Sequence, residues 1–229
     1  SFGYDNMLYL DATLRRDQSS ALSENDNVYW YPSVSTSFIF SKVLDTPWLD
    51  YGKVRLNYAQ VGNDTNALRT NDFFSFNTLF GGTPLFSRQN QKNNADLVNE
   101  LTKSYEAGFE ALFLKKRFGV DVSFYQTNSE NQIIPLELSN STGFATKVIN
   151  AWEIENKGVE LSLTGSPIRT KNFEWSVNVN WSTYTSEVVS LPEGITNLNL
   201  SGGTLQNGIT VNATVGAPYG SIKGTAIRK

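Results

Sequence analysis

The stretch that decides the fold is Phe173-Glu-Trp-Ser-Val-Asn-Val-Asn-Trp-Ser182, in which apolar and polar residues alternate without a break. Because successive side chains of a β-strand point to opposite faces, this pattern predicts a strand with one apolar and one polar face. A soluble sheet buries such an apolar face under a second layer of protein. A transmembrane β-barrel turns it toward lipid and keeps the polar face in its wet interior.

The same alternation recurs in six earlier segments, at residues 8–15, 33–41, 53–58, 105–113, 118–127 and 159–164. Their lengths are near the roughly 9–11 residues that a tilted strand needs to cross a bilayer. Several acidic residues fall on the polar faces of neighbouring segments: Glu106, Glu110, Asp121 and Glu160. A charged ladder along a wet interior explains them better than the paired carboxylates of a glycosidase.

The connections between these segments alternate between short and long. Short connections are predicted at 42–52, 114–117 and 165–172, and long ones at 16–29, 62–102 and 128–157. A meander with short turns at one end and long loops at the other is typical of a bacterial outer-membrane barrel. We therefore predict an all-β fold, an antiparallel transmembrane β-barrel segment. The alternative is a soluble β-sandwich or β-solenoid.

The composition argues against several classes of function. The 229 residues contain no Cys and no His, which removes disulfides, thiolate metal sites and the usual pairs of nucleophile and base. We therefore expect no enzyme activity, no cofactor and no metal site. The net charge of −3 gives no electrostatic reason to expect a nucleic-acid partner. No apolar run reaches the roughly 18 residues of a transmembrane helix.

Several segments resemble the SusC/RagA family of TonB-linked outer-membrane proteins of Bacteroidetes, and they follow the family's order. The segments are Met7–Asp17, Tyr31–Ser35, Val54–Asp64, Leu101–Glu110, Ile149–Leu161 and Val215–Gly220. One departure is Trp152, which stands where the family usually has glycine and puts the local tight turn in question. The resemblance implies a 22-stranded TonB-dependent transporter barrel, of which residues 1–229 form a partial barrel domain of mid-to-late strands and extracellular loops.

The resemblance also implies a location and partners. The protein would lie in the outer membrane of a Gram-negative bacterium, within the lipid bilayer, under a SusD-like surface lipoprotein. It would import oligosaccharides or peptides with energy from the TonB complex. The plug and the TonB box are expected outside this chain, which begins at Ser1 without an initiator Met. A soluble all-β carbohydrate-binding or adhesin module is the alternative, and what covers the apolar face of residues 173–181 distinguishes the two.

The longest predicted connection, residues 62–102, contains a cluster of aromatic residues among Gly and Asn. These candidate site residues are Phe73, Phe74, Phe76, Phe80 and Phe86. Exposed aromatic rings can stack on sugar faces or anchor a protein interface, so the cluster is a candidate contact to substrate or to the cap lipoprotein. The alternative is that the rings pack the long loop onto itself or its neighbours.

Overall fold

The computed structural model describes residues 1–44, 46–201 and 208–224. These residues form β-strands joined by turns and loops, with short 3₁₀ turns at Phe40–Lys42 and Asn140–Thr142. In this described part of the chain, no helix has the length and apolarity to cross a membrane. The strands are β1 Phe2–Tyr4, β2 Leu8–Gln18, β3 Val28–Phe38, β4 Leu49–Asn63, β5 Phe74–Phe80, β6 Thr83–Arg88, β7 Gln91–Lys92, β8 Glu100–Phe113, β9 Phe118–Glu130, β10 Ile133–Glu137, β11 Thr146–Asn150, β12 Glu153–Arg169, β13 Glu174–Ser190, β14 Asn197–Asn199, β15 Thr210–Thr214 and β16 Ser221–Lys223.

One large antiparallel sheet organises the chain, with the strand order β1-β2-β3-β4-β8-β9-β12-β13. All seven alternating segments lie in strands of this sheet, so the predicted strands are confirmed. β3 ends at Phe38, earlier than the alternation suggested, because a 3₁₀ turn begins at Phe40. β12 and β13 are longer than predicted, with 17 residues each, so the sheet continues beyond the length needed to cross a bilayer.

The turns of the large sheet sort by length, as the sequence predicts. The short connections 39–48, 114–117 and 170–173 leave adjacent strand ends, because Leu49 pairs with Phe113 and Phe118 pairs with Gly165. We call this the short-turn end. The longer connections 19–27, 64–99 and 131–152 leave the opposite strand ends, which we call the long-loop end.

The connection predicted at 165–172 is shorter than expected. β12 continues to Arg169, which leaves only residues 170–173 as the turn. The pairing of β12 with β13 shifts between Gly165 and Ile168, so the Gly-Ser-Pro stretch forms a β-bulge rather than a loop. A bulge tolerates Pro167 because a residue outside the regular ladder does not need a backbone N–H donor.

Most of the buried apolar side chains lie at the long-loop end. One cluster joins the three longer connections through Leu22, Leu97 and Val148. A second cluster joins the start of β12, the end of β13 and β15 through Trp152, Ile154, Val188 and Ala213. The loops therefore pack into an ordered layer, which we call the loop layer, and this layer supplies a core that the large sheet lacks.

Candidate functional site

One face of the large sheet is apolar and open. The register aligns one row of apolar side chains across five strands, namely Val54, Phe109, Val122, Leu161 and Trp181. Val54 is 37% exposed and Trp181 is 53% exposed, and the neighbouring Leu56, Phe124, Leu163 and Val179 are exposed as well. A contiguous apolar surface of this extent is unusual on a soluble monomer and marks contact with a membrane or a partner.

The stretch at 173–181 contributes to this face as predicted. Phe173, Trp175, Val179 and Trp181 are each more than half exposed, and Val177 is half-buried. Toward the long-loop end, the apolar face stops at a row that contains Tyr58, Tyr105 and Lys157. The two tyrosine rings contact each other with centroids 5.0 Å apart. Tyrosine is enriched at membrane–water boundaries, so this row fits the edge of an apolar band.

The opposite face is polar and cross-linked by Arg55 of β4. Its Nη1 and Nη2 donate to the carboxylate of Asp121 on β9 at 3.2 and 2.8 Å, and Nη2 also donates to Ser123 at 2.6 Å. Its Nε lies 3.4 Å from the carboxylate of Glu106 on β8. Bidentate pairing of a guanidinium with a carboxylate is a strong form of ion pair. Arg55 therefore joins three neighbouring strands, and we call this group the Arg55 clamp.

The other acidic residues of this face fit a wall rather than a catalytic pair. Glu110 pairs with Lys53 at 2.8 Å, and Glu106 and Asp121 are held in the Arg55 clamp. Glu160 is exposed beside a cavity of about 410 Å³ that Ser162 and Asn180 also line. Because cations hold three of the four carboxylates, the geometry favours the charged ladder over a glycosidase site.

Asparagine side chains tie the loop layer together. Asn150 accepts a hydrogen bond from the Val98 backbone N–H at 3.1 Å and donates to the Val98 carbonyl at 2.8 Å. Asn93 is buried, and its Nδ2 donates to the carbonyls of Leu68 and Asn71 at 2.9 and 2.7 Å. Buried amides bonded in this way fix the backbone of a loop, because breaking the bonds leaves polar atoms without water.

Asp72 holds the same part of the loop layer through its carboxylate. It accepts a hydrogen bond from the Asn93 backbone N–H at 2.8 Å and lies 3.3 Å from the Lys92 ammonium. The hydrogen bond from Asn93, assisted by Lys92, lowers the pKa of Asp72 below its ordinary value. The charged form of Asp72 is therefore the form that stabilises this loop.

The aromatic cluster predicted in the long connection forms a hairpin. β5 and β6 pair with each other through a tight turn at Gly81 and Gly82, whose φ angles of 55° and 84° suit glycine. We call β5–β6, Phe74–Arg88, the aromatic hairpin. Nearly all of its residues are exposed. A two-stranded hairpin has no interior of its own, so its rings remain available for a partner.

The structure brings together some of the five predicted phenylalanines. Phe76 and Phe86 are cross-strand partners with edge-to-face rings, centroids 5.7 Å apart, and Phe74 lies on the same hairpin face. Phe80 pairs with Thr83 and therefore lies on the other face, where it is 78% exposed. Phe73 directly precedes β5 and is 36% exposed. The rings contact each other only in part and stay open to solvent.

Arg88 anchors the base of the aromatic hairpin to the loop that follows β10. Its guanidinium lies 4.0 Å from the ring centroid of Phe144 and donates a hydrogen bond to the carbonyl of Gly143. Lys92 approaches the same ring at 5.1 Å. Cation–π contacts and a charge-assisted hydrogen bond fix the base, while the tip at Gly81 and Gly82 extends away from it.

Sequence reasoning missed two features of the site. The Arg55 clamp needs the strand register, because Asp121 is 66 positions away in sequence. The anchor of Arg88 to Phe144 needs the fold of two loops. A usable signal for the clamp was present, since Arg55, Glu106 and Asp121 all fall on polar faces of predicted strands.

An open apolar face, an ion-paired polar face and turns sorted by length define the wall of a membrane-spanning β-barrel. The profile of the family described as "TonB dependent receptor-like, beta-barrel" matches residues 1–223. The chain belongs to this family of TonB-dependent receptor barrels.

Curated relatives agree with this assignment. The chain is 27% identical over 204 residues to "TonB-dependent receptor P39" of Formosa agariphila, which covers 84% of this chain and 19% of the relative. It is 25% identical over 197 residues to "TonB-dependent receptor SusC" of Bacteroides thetaiotaomicron, covering 80% and 19% of the two chains. The chain thus spans about a fifth of the length of these relatives.

Solved structures share the fold. The structure titled "Structure of the RagAB peptide transporter" superposes with a TM-score of 0.83 at 23% identity, covering 95% of this chain and 24% of that one. The siderophore receptor PirA from Pseudomonas aeruginosa superposes more distantly, with a TM-score of 0.51 at 18% identity over 80% of this chain and 34% of that one. The eight-stranded sheet is therefore a segment of a TonB-dependent receptor barrel.

Proposed function

We propose that the chain is part of the barrel wall of a SusC-like importer in the outer membrane of a Gram-negative bacterium. The observation that carries the proposal is the pairing of an exposed apolar face with an ion-paired polar face on one sheet. Such a sheet is stable where lipid covers the first face and water the second. A barrel of this family would take up oligosaccharides or peptides with energy from the TonB complex.

The proposed partners follow from the family and from the loop layer. A SusD-like surface lipoprotein would cap the long-loop end, and TonB would act through parts of the protein outside this chain. The names of the relatives support both substrate classes, because SusC and the RagAB peptide transporter are among the similar proteins. The rigid loop layer supports a cap better than mobile loops would, since a preordered surface loses less entropy on binding.

We propose that the aromatic hairpin contacts the substrate or the cap. Phe74, Phe76 and Phe86 form one exposed apolar face on a hairpin whose base is fixed by Arg88. Rigid aromatic rings supply contact area at a low entropic cost, which suits a binding element. The position of the hairpin among the long loops supports a role outside the membrane.

The test replaces Phe74, Phe76 and Phe86 together by Ser in the full-length protein. Growth on the cognate nutrient, or on an oligosaccharide and a peptide library if the nutrient is unknown, measures import. We expect reduced import with normal surface abundance and normal heat-modifiable migration, because extracellular loops add little to a closed barrel. Phe80→Ser is the matched control, since Phe80 is exposed on the opposite hairpin face.

Each outcome decides between roles for the hairpin. Normal growth of the triple variant at normal abundance would make the hairpin a passive filler of the loop. Loss of abundance would make it a part of the fold. An equal loss of import in Phe80→Ser would remove the assignment of contact to one face.

A soluble carbohydrate-binding or adhesin module remains the competing function, and no feature of the described residues favours it. It would require a protein layer over the open apolar face. Partition of the full-length protein into the outer-membrane fraction, and heat-modifiable migration on gels, distinguish a barrel from a soluble module.

A further inference from the structure

Gly108 of β8 lies directly beneath the Arg55 clamp. It is the cross-strand partner of Arg55 and is buried, whereas its neighbours Ala107 and Phe109 are exposed on the other face. A Cβ atom on Gly108 would lie 2.3 Å from Nε and 2.5 Å from Cζ of Arg55. Real Cβ atoms do not approach other atoms so closely, so the arginine occupies the space that any other side chain would need.

The same arrangement recurs on the polar face. Gly158 of β12 is the cross-strand partner of Tyr125, and a Cβ on it would lie 2.7 Å from the tyrosine hydroxyl. Gly119 of β9 is the cross-strand partner of Thr164, and a Cβ there would lie 2.4 Å from Oγ1. Side chains on the inner face of a barrel normally stand perpendicular to the wall and point inward. Here glycines let their neighbours lie along the wall instead.

We propose that Gly108 is a positioning residue of the barrel interior, which holds Arg55 flat so that its guanidinium points sideways to Asp121. The inference rests on the proposed function for its meaning in import, because the free width and charge of the interior matter only if cargo passes. The contacts themselves are independent of that function. Arg55 contacts two carboxylates and one hydroxyl along the wall, and its side chain is only 21% exposed.

A methyl group at Gly108 would act on Arg55 rather than on the backbone. The atoms that meet it are Nε, Cζ and Cγ of a flexible side chain. Gly158 differs, because a Cβ there also meets the backbone carbonyl of Thr183 at 2.6 Å. Gly108→Ala should therefore lift Arg55 into the interior and leave Asp121 without its cation, with the sheet otherwise intact.

A single cysteine reports this change without any need for transport. The described chain has no free cysteine, and Ser162 is the cross-strand partner of Asp121 and lines the same cavity. In the purified full-length protein carrying Ser162→Cys, with any other cysteine replaced, rates of labelling are measured with a cationic and an anionic thiol reagent of equal size. The ratio of the two rates measures the local charge.

We expect Arg55→Ala to raise the ratio of cationic to anionic labelling at least about threefold, because it removes one positive charge beside Asp121. Gly108→Ala should raise the ratio in the same direction. The matched control is Gly165→Ala, since a Cβ there meets nothing closer than 3.6 Å. A ratio in Gly108→Ala equal to that of the parent protein, together with a shift in Arg55→Ala, would overturn the proposal. So would an unchanged ratio in Arg55→Ala.

The double variant keeps the test decisive if Gly108→Ala fails to assemble. In Gly108→Ala/Arg55→Ala the methyl group has no side chain to displace, so assembly and labelling should match those of Arg55→Ala alone. Failure of the double variant to assemble, while Arg55→Ala assembles, would overturn the proposal. Absence of import by the parent protein would contradict the proposed function and leave the labelling result standing.

Discussion

Trp152 and Tyr219 meet edge to face, with ring centroids 5.6 Å apart and an angle of 74° between the ring planes. Trp152 is 4% exposed, and its Nε1 donates a hydrogen bond to Gln132 at 2.7 Å. The residue stands where the SusC/RagA pattern usually has glycine. Its ring therefore does not disrupt the local chain but fills the space between the start of β12 and the small sheet β14-β15-β16.

Trp152→Ala should destabilise the long-loop end by about 3 kcal/mol, because it leaves a cavity in a buried cluster. Trp152→Phe should cost less, since it keeps most of the ring and loses the hydrogen bond to Gln132. Limited proteolysis of residues 131–152 in the assembled protein measures the local effect. Equal protease resistance of Trp152→Ala and the parent protein would contradict a structural role for the ring.

Arginine substitutions along β13 should follow depth and face. Val179 pairs with Leu163 inside the apolar band, so Val179→Arg should lower the free energy of refolding into lipid by about 2–4 kcal/mol. Val177 pairs with Gly165, nearer the short-turn end, and Val177→Arg should cost less than Val179→Arg. Asn178→Arg, on the polar face, should be mild. Equal costs at positions 178 and 179 would refute the assignment of the two faces.

The loop held by Asp72 should loosen in acid. The pKa of Asp72 is lowered in the folded chain, chiefly by the hydrogen bond from Asn93. The stabilisation is therefore present above the ordinary pKa of an aspartate and is lost as the pH falls through the lowered folded value. Because Asp72 is partly exposed, we expect less than about 1 kcal/mol.

Proteolysis of residues 64–99 as a function of pH tests this expectation. Sensitivity should rise as the pH falls through the acidic range in the parent protein and change less in Asp72→Asn. The variant keeps an acceptor for the Asn93 N–H and loses the charge that pairs with Lys92. An identical pH profile in the two proteins would assign the acid effect to other groups.

Removal of the Arg88 anchor should free the aromatic hairpin without affecting the barrel. Arg88→Ala removes both the contact to Phe144 and the hydrogen bond to Gly143, and cation–π contacts of this type contribute about 0.5–1 kcal/mol. Hydrogen exchange of the backbone amides in β5 and β6 should accelerate, while exchange in β8 and β9 stays as in the parent protein. Unchanged exchange in β5 and β6 would mean that the hairpin is held by other contacts.

Single residues illustrate how far prediction from sequence reaches in this chain. The alternation from Phe173 to Ser182 predicted a strand and its two faces, because the period of a strand is a local property of the backbone. Pro167 misled the prediction of the turn, since a bulge and a loop share the same residue preferences and only the register separates them. The five phenylalanines were recognised as a cluster, but their division between two hairpin faces required the pairing of β5 with β6.

By itself, the sequence determined the strands, the sorting of turns and loops, the absence of Cys and His chemistry, and the resemblance to a transporter family. Only the tertiary structure decided which side chains meet. Arg55 reaches Asp121 across an intervening strand, and Trp152 meets Tyr219 across 67 positions of sequence, given by the residue numbers 219 and 152. The reason is physical: alternation acts within one strand, whereas register and loop packing are set by contacts between strands that are distant in the chain.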